Sequence, residues 1–197
     1  MIKSKKLSVF KNIKHGFFNK LSGTSGGIYK SLNYGHESLD QKKNIKSNLN
    51  IVLKKAKIKE RKIILLNQIH SNKFIFIKKK LKFNNSKLKG DALITDQKKI
   101  PIGILTADCA PILIYDKNKK MVAAIHAGWK GAYKNIVKNV IKFMVKGGCS
   151  PENMTAVIGP CITLKNYQVK QDFIKKFIKI DKKNKIFFKK IQKKNYF

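Results

Sequence analysis

Three residues set far apart in the 197-residue chain each sit where a hydrophobic run breaks into a polar turn: His70 in NQIHS, Cys109 in LTADCAPIL and His126 in AAIHAGWKG. Two imidazoles and a thiolate are a soft donor set suited to zinc. A catalytic zinc commonly takes three N/S ligands and keeps a fourth position for water, so this trio would complete such a shell. The chain has four histidines and three cysteines, and the chemistry concentrates between residues 67 and 131. Against this, a lone His or Cys at a strand end is more often a packed or hydrogen-bonded residue than a ligand. The separations of 39 and 17 residues also match no zinc-finger or ribbon spacing. A metal-free alternative uses the same residues, with Cys109 as nucleophile and His126 as its general base in a cysteine hydrolase or deamidase.

Other residues near the trio have two readings each. Asp108 adjoins Cys109, and successive residues of an extended strand face opposite ways, so it either acts directly in catalysis or orients a neighbour. Asp91 in GDALIT is read as a turn-capping residue. Gly128 and Gly131 flank Trp129 and Lys130 between a strand and a helix. They serve either a tight connection or a helix N-terminus that, with Lys130, receives an anion such as phosphate. His15 and His36 read as non-ligands. Cys149 reads as a bystander, and Cys161 as a residue buried near the site without ligating.

The elements that must position these groups follow from periodicity. Residues 44–56 carry Ile45, Leu49, Val52, Leu53 and Ala56 at helical spacing. The segments 62–69, 73–79, 91–95, 100–106, 111–116 and 121–126 are rich in Ile, Val and Phe and bounded by polar or glycine turns, which predicts strands. A helix is expected over 131–146, stopped by Gly147 and Gly148, then a strand at 154–160 and a helix at 171–180. Strands interleaved with few helices indicate an α+β single domain with mixed sheets.

The formal charge is +35, yet only Arg61 among the 45 basic residues is arginine. Selection for phosphate or guanine contacts would favour arginine's planar fork, so the lysine excess reads as compositional drift, with no specific nucleic-acid partner. A lysine-rich protein that binds RNA or another polyanion without catalysis is the non-enzymatic alternative. No segment reads as a signal peptide or membrane span, and three cysteines give no disulfide framework, so the cytoplasm is expected.

Seven segments in order, HGFFNK (15–20), SLNYG (31–35), NQIHS (67–71), GDALIT (90–95), TADCAPILIYD (106–116), AAIHAGWKGA (123–132) and IGPCI (158–162), resemble the YfiH family. This is also called the laccase-domain or polyphenol oxidase family, whose members act as purine nucleoside phosphorylases with a zinc site. The resemblance implies an α/β sandwich and zinc held by His70, Cys109 and His126, with copper as the second candidate. It implies phosphorolysis of adenosine, inosine, guanosine and methylthioadenosine, together with adenosine deamination. Lys130, Lys20 and Asn33 are the expected substrate-binding residues. A multicopper laccase would need many more than four histidines. The family pattern continues with another helix, closing strands and an arginine-bearing segment, so the C-terminal part is expected to be missing. Lys20, Lys130 and Leu49 stand where the family often has arginine. Lysine keeps the charge without the fork, and leucine loses both.

Overall fold

The computed structural model describes residues 1–60, 62–78 and 88–189. The chain divides into two compact units, residues 1–160 and 161–197. The first is built on a five-stranded sheet in the order β1-β2-β4-β3-β5, with β1 Phe74–Ile77, β2 Ala92–Thr95, β3 Ala110–Asp116, β4 Val122–Ala127 and β5 Met154–Ile158. Only β1 and β2 run parallel; every other neighbouring pair is antiparallel, giving the expected mixed sheet with helices. As a consequence β1, β2 and β3 all begin at the end of the sheet where β4 finishes.

Both faces of the central strands are covered, which is why β2 is buried at every position. On one face Ala92, Ile94, Ile112, Ile114, Ala123 and Ile125 pack with Ile136, Val140 and Met144 of the helix α4, Ile136–Lys146. Phe143 of the same helix meets Phe74 and Phe76, with ring centroids 5.0 and 5.2 Å away. Cys149 is buried in this cluster, and burial first, then nearby Asp116, pushes its thiol up to about 11. It packs in the core and is not grouped with His70, Cys109 and His126. On the other face Leu93 and Ile77 pack with Ile64 and Leu66.

That second face is not built as its apolar runs suggest. Segments 62–69 and 100–106 are expected strands, but they form only single bridges, Ile64 with Ile102 and Asn67 with Lys89. They bury apolar side chains like strands without a continuous ladder. The expected helix 131–146 is also two helices, α3 Trp129–Tyr133 and α4, separated at Asn135, whose φ of 60° is left-handed. The helix expected at 44–56 is Lys42–Lys55, here α2. Lys79, which ends the strand expected at 73–79, lies outside the described residues.

A polar cluster organises residues 20–48. Asn48 is fully buried; its carbonyl accepts from Thr24 N at 2.8 Å, and its amide donates to Ser25 Oγ at 2.8 Å and to the backbone oxygens of Ser31 and Asn33. In the second unit the helix α5, Gln171–Ile180, carries Phe173 and Phe177, which stack with centroids 4.9 Å apart. Among the described residues no helix is long and apolar enough to cross a membrane.

The sheet makes a direct stability prediction. Ile125→Ala removes a fully buried side chain from β4 and should cost about 2–5 kcal/mol, whereas Ile158→Ala, at a site 68% exposed on edge strand β5, should change stability by less than about 0.5 kcal/mol. Urea denaturation of both variants checks the contrast.

Candidate metal centre

Strand direction brings the trio together. His126 is the fifth residue of β4, and Cys109 precedes β3, whose first residue Ala110 pairs with Ala127. His70 lies in the turn ahead of β1. All three therefore stand at the one end of the sheet where three strands begin and β4 ends. Their candidate ligand atoms lie within 4.8 Å of one another, and the two imidazoles meet edge to face with centroids 4.9 Å apart. Access is graded, with His126 buried, Cys109 half-buried and His70 exposed.

Asp91 is the residue that sequence reasoning undervalued. It directly precedes β2, and the pairing of Ala92 with Ile125 places it beside His126. Its Oδ1 lies 2.9 Å from His126 Nδ1 and accepts from His70 N at 3.0 Å. Its Oδ2 accepts from Ser71 N at 2.6 Å and from Ser71 Oγ at 2.8 Å. Asp91 is fully buried, which opposes its charge, yet the hydrogen bonds from His126 and Ser71 outweigh that and hold its carboxyl below the usual range. These bonds also fix His70 in a left-handed conformation, φ 52°, a costly state for a residue with a side chain. The sequence shows only an acidic residue at the head of the apolar run ALIT; that this run pairs with the His126 strand is seen in the structure alone.

A second clamp joins the other pair of segments. Gln68 donates to Leu105 O at 2.8 Å and accepts from Leu105 N at 2.7 Å, tying the His70 turn to the stretch leading to Cys109. Gly128 explains its own place differently from the expectation of backbone freedom, since its φ of −70° suits any residue. A Cβ there would lie 3.0 Å from His70 Nδ1 and 3.1 Å from Cys109 Sγ, tighter than ordinary contact, so the side chains of the trio would have to shift to admit it. Gly131 likewise admits the backbone of Ser71, whose oxygen would lie 2.9 Å from a Cβ.

The remaining candidates are placed as follows. Asp108 is exposed on a bend before β3 rather than in a strand. Lys130 is exposed, its Nζ 5.7 Å from the centre of the Trp129 ring. The helix it belongs to has five residues, so the helix N-terminus expected to receive an anion there has little more than one turn behind it. Lys20 is exposed, and its backbone oxygen accepts from Ser31 N and Leu32 N. The Asn33 amide donates to Ser38 Oγ at 2.8 Å and Asp40 Oδ2 at 3.0 Å, holding its own loop. His15 stays outside the trio, accepting from Ser4 N at 3.0 Å, and the ring nitrogens of His36 are buried without a hydrogen-bond partner among the described residues. Cys161, expected to be buried, is exposed in the second unit.

Residues 14–197 match the family model described as multi-copper polyphenol oxidoreductase laccase. The chain belongs to this family. Purine nucleoside phosphorylase RP494 of Rickettsia prowazekii is 30% identical over 189 residues, which span 96% of this chain and 74% of that protein. A purine nucleoside phosphorylase of Bacteroides thetaiotaomicron is 32% identical over 186 residues, 91% of this chain and 69% of the relative. Among solved structures, the hypothetical protein YfiH of Bacillus licheniformis superposes with a TM-score of 0.80 at 26% identity, covering 90% of this chain and 69% of that one.

His70, Cys109 and His126 could hold a metal ion. The donors are soft, His126 has a carboxylate behind it as metal-bound histidines commonly do, and Gly128 leaves the space beside them clear. That clearance yields a prediction. Gly128→Ala keeps an accessible backbone conformation but intrudes on His70 and Cys109, so the metal-free protein should keep its stability within about 1 kcal/mol while affinity for whichever divalent ion the trio takes up, zinc or copper, falls about tenfold or more. Thermal melts and competition with a chromophoric chelator measure the two effects.

Proposed function

We propose that the chain is a purine nucleoside phosphorylase that uses zinc held by His70, Cys109 and His126. What supports the reading most is the convergence of these donors within 4.8 Å, in a family with relatives named purine nucleoside phosphorylase. The substrates are adenosine, inosine, guanosine and methylthioadenosine with inorganic phosphate, with adenosine deamination as a second activity. Four histidines, two of them outside the trio, suit one zinc better than a multicopper cluster, which needs several more imidazoles. The chain is an intracellular enzyme in this reading.

In phosphorolysis a phosphate oxygen bonds to C1′ of the ribose as the bond from C1′ to the purine nitrogen breaks, and the base leaves with the electron pair and takes up a proton. Positive charge develops on the ribose, so the protein must hold the anion close and accommodate the departing base. In this reading Lys130, exposed beside the site-forming turn, and Lys20 supply cations for phosphate, while Asn33, whose side chain is engaged by Ser38, Asp40 and Gly35, orders the loop on the substrate side. Asp108, an exposed carboxylate next to Cys109, takes or returns a proton in this reading. Zinc held by His70, Cys109 and His126 would supply Lewis acidity to the reaction.

The metal-free cysteine hydrolase has one observation in its favour: Asp91 orients His126 as the third member of a catalytic triad would. The thiol argues the other way. Burial, then the charges of Asp108 and Asp91, push Cys109 above the ordinary thiol range, whereas a nucleophilic cysteine needs it lowered. In the metal-free protein the thiol should therefore stay protonated through neutral pH, with alkylation of Cys109 rising only on the alkaline side of a free cysteine.

Incubation with adenosine and phosphate should yield adenine and ribose 1-phosphate, with inosine as the deamination product. Cys109→Ser should lose both zinc and turnover. A zinc-loaded protein that forms none of these products, but cleaves amides or thioesters in a Cys109-dependent way, would replace the phosphorylase reading with the hydrolase.

A further inference from the structure

Asp91 makes more use of its two oxygens than a turn cap requires. One carboxylate lies 2.9 Å from a ring nitrogen of one proposed ligand and accepts the backbone N–H of another and both donors of Ser71. We propose that Asp91 is the positioning residue of the centre: it fixes His126 as the Nδ1–H tautomer, leaves Nε2 as that ring's one free lone pair, and pins the His70 turn at the distance the trio requires. The inference rests on the metal reading above for its purpose, but not for its geometry.

The chemistry behind it is that an imidazole presents one lone pair when neutral, and which nitrogen carries it is set by the hydrogen bond at the other. Asp91, an acceptor at both oxygens, is suited only to a ring that donates from Nδ1. The backbone reinforces this, because His126 N donates to Asp91 O at 2.8 Å and Asp91 N donates to Lys73 O at 2.8 Å. The carboxylate is thus anchored on both sides before any ligand arrives. An asparagine has nearly the same shape but only one accepting oxygen. With its oxygen toward His126 and His70, its amide would face Ser71 N, donor against donor; turned over, it would face the His126 ring.

Long-range proton–nitrogen NMR of the metal-free protein at mildly alkaline pH, with nitrogen-labelled histidine, reads the tautomer directly. His126 should be Nδ1–H, and in Asp91→Asn it should shift toward Nε2–H. Zinc affinity by chelator competition should fall about 10–100-fold in Asp91→Asn. Ser71→Ala removes one donor from Asp91 but leaves the His126 bond, and should keep zinc affinity within about threefold of wild type. An Nε2–H tautomer in wild type overturns the proposal whether or not zinc binds, and decides the matter even if Asp91→Asn fails to fold. Equal loss of zinc affinity in the two variants with His126 still Nδ1–H also overturns it, since that is what a purely structural carboxylate would do. An Nδ1–H tautomer in a wild-type protein that takes up no zinc supports the tautomer assignment and sinks the zinc reading instead.

Discussion

A carboxylate buried at the start of β2 governs the geometry of this end of the molecule. Isolated in a protein interior, the Asp91 charge would be costly; it is tolerable because every oxygen has donors, and those donors come from His126, His70 and Ser71. Satisfying the charge and assembling the site are thus the same requirement. The register of β2 against β4 enforces it. Slipping that pairing by one residue would turn His126 to the face of the sheet covered by α4 and leave Asp91 without its ring partner.

Around that carboxylate, separate segments are held by side-chain to backbone bonds rather than by regular structure. Gln68 grips both backbone groups of Leu105, and Asp91 grips the backbone of the His70 turn, so the three donor-bearing segments are linked pairwise. The left-handed backbone at His70 is unfavourable by about 1–3 kcal/mol, and such outliers persist only where surrounding contacts over-determine them. Two glycines, Gly128 and Gly131, then let backbone approach where any side chain would push the turn or the donors away. The face of the sheet packed by α4 supplies rigidity, and the irregular face supplies the site.

Much of this was legible in the residues. His70, Cys109 and His126 could be paired with one another from the motifs around them, and the amphipathic spacing over 44–56 marked α2 to within two residues at its start. The strands now numbered β2, β3 and β4 fell where Ile- and Val-rich runs met turns. The errors have physical causes. Segments 62–69 and 100–106 are as apolar as strands because they cover the sheet, but hydrophobicity reports burial and says nothing of where a backbone finds its partners. The break at Asn135 was hidden because an asparagine tolerates the left-handed region without interrupting the apolar spacing of Ile136, Val140 and Met144. Asp91 was undervalued because its role depends on a cross-strand register, which periodicity does not encode.

Three donor atoms within 4.8 Å of one another are close enough to share one metal ion. Crystals of the zinc-loaded protein measured above and below the zinc absorption edge test this most directly. One anomalous peak is expected among His70, Cys109 and His126, with Zn–N distances of about 2.0–2.1 Å and Zn–S of about 2.3 Å, and with Asp91 still bonded to His126 Nδ1. A peak elsewhere, or zinc absent with Cys109 turned away from both imidazoles, would contradict the account.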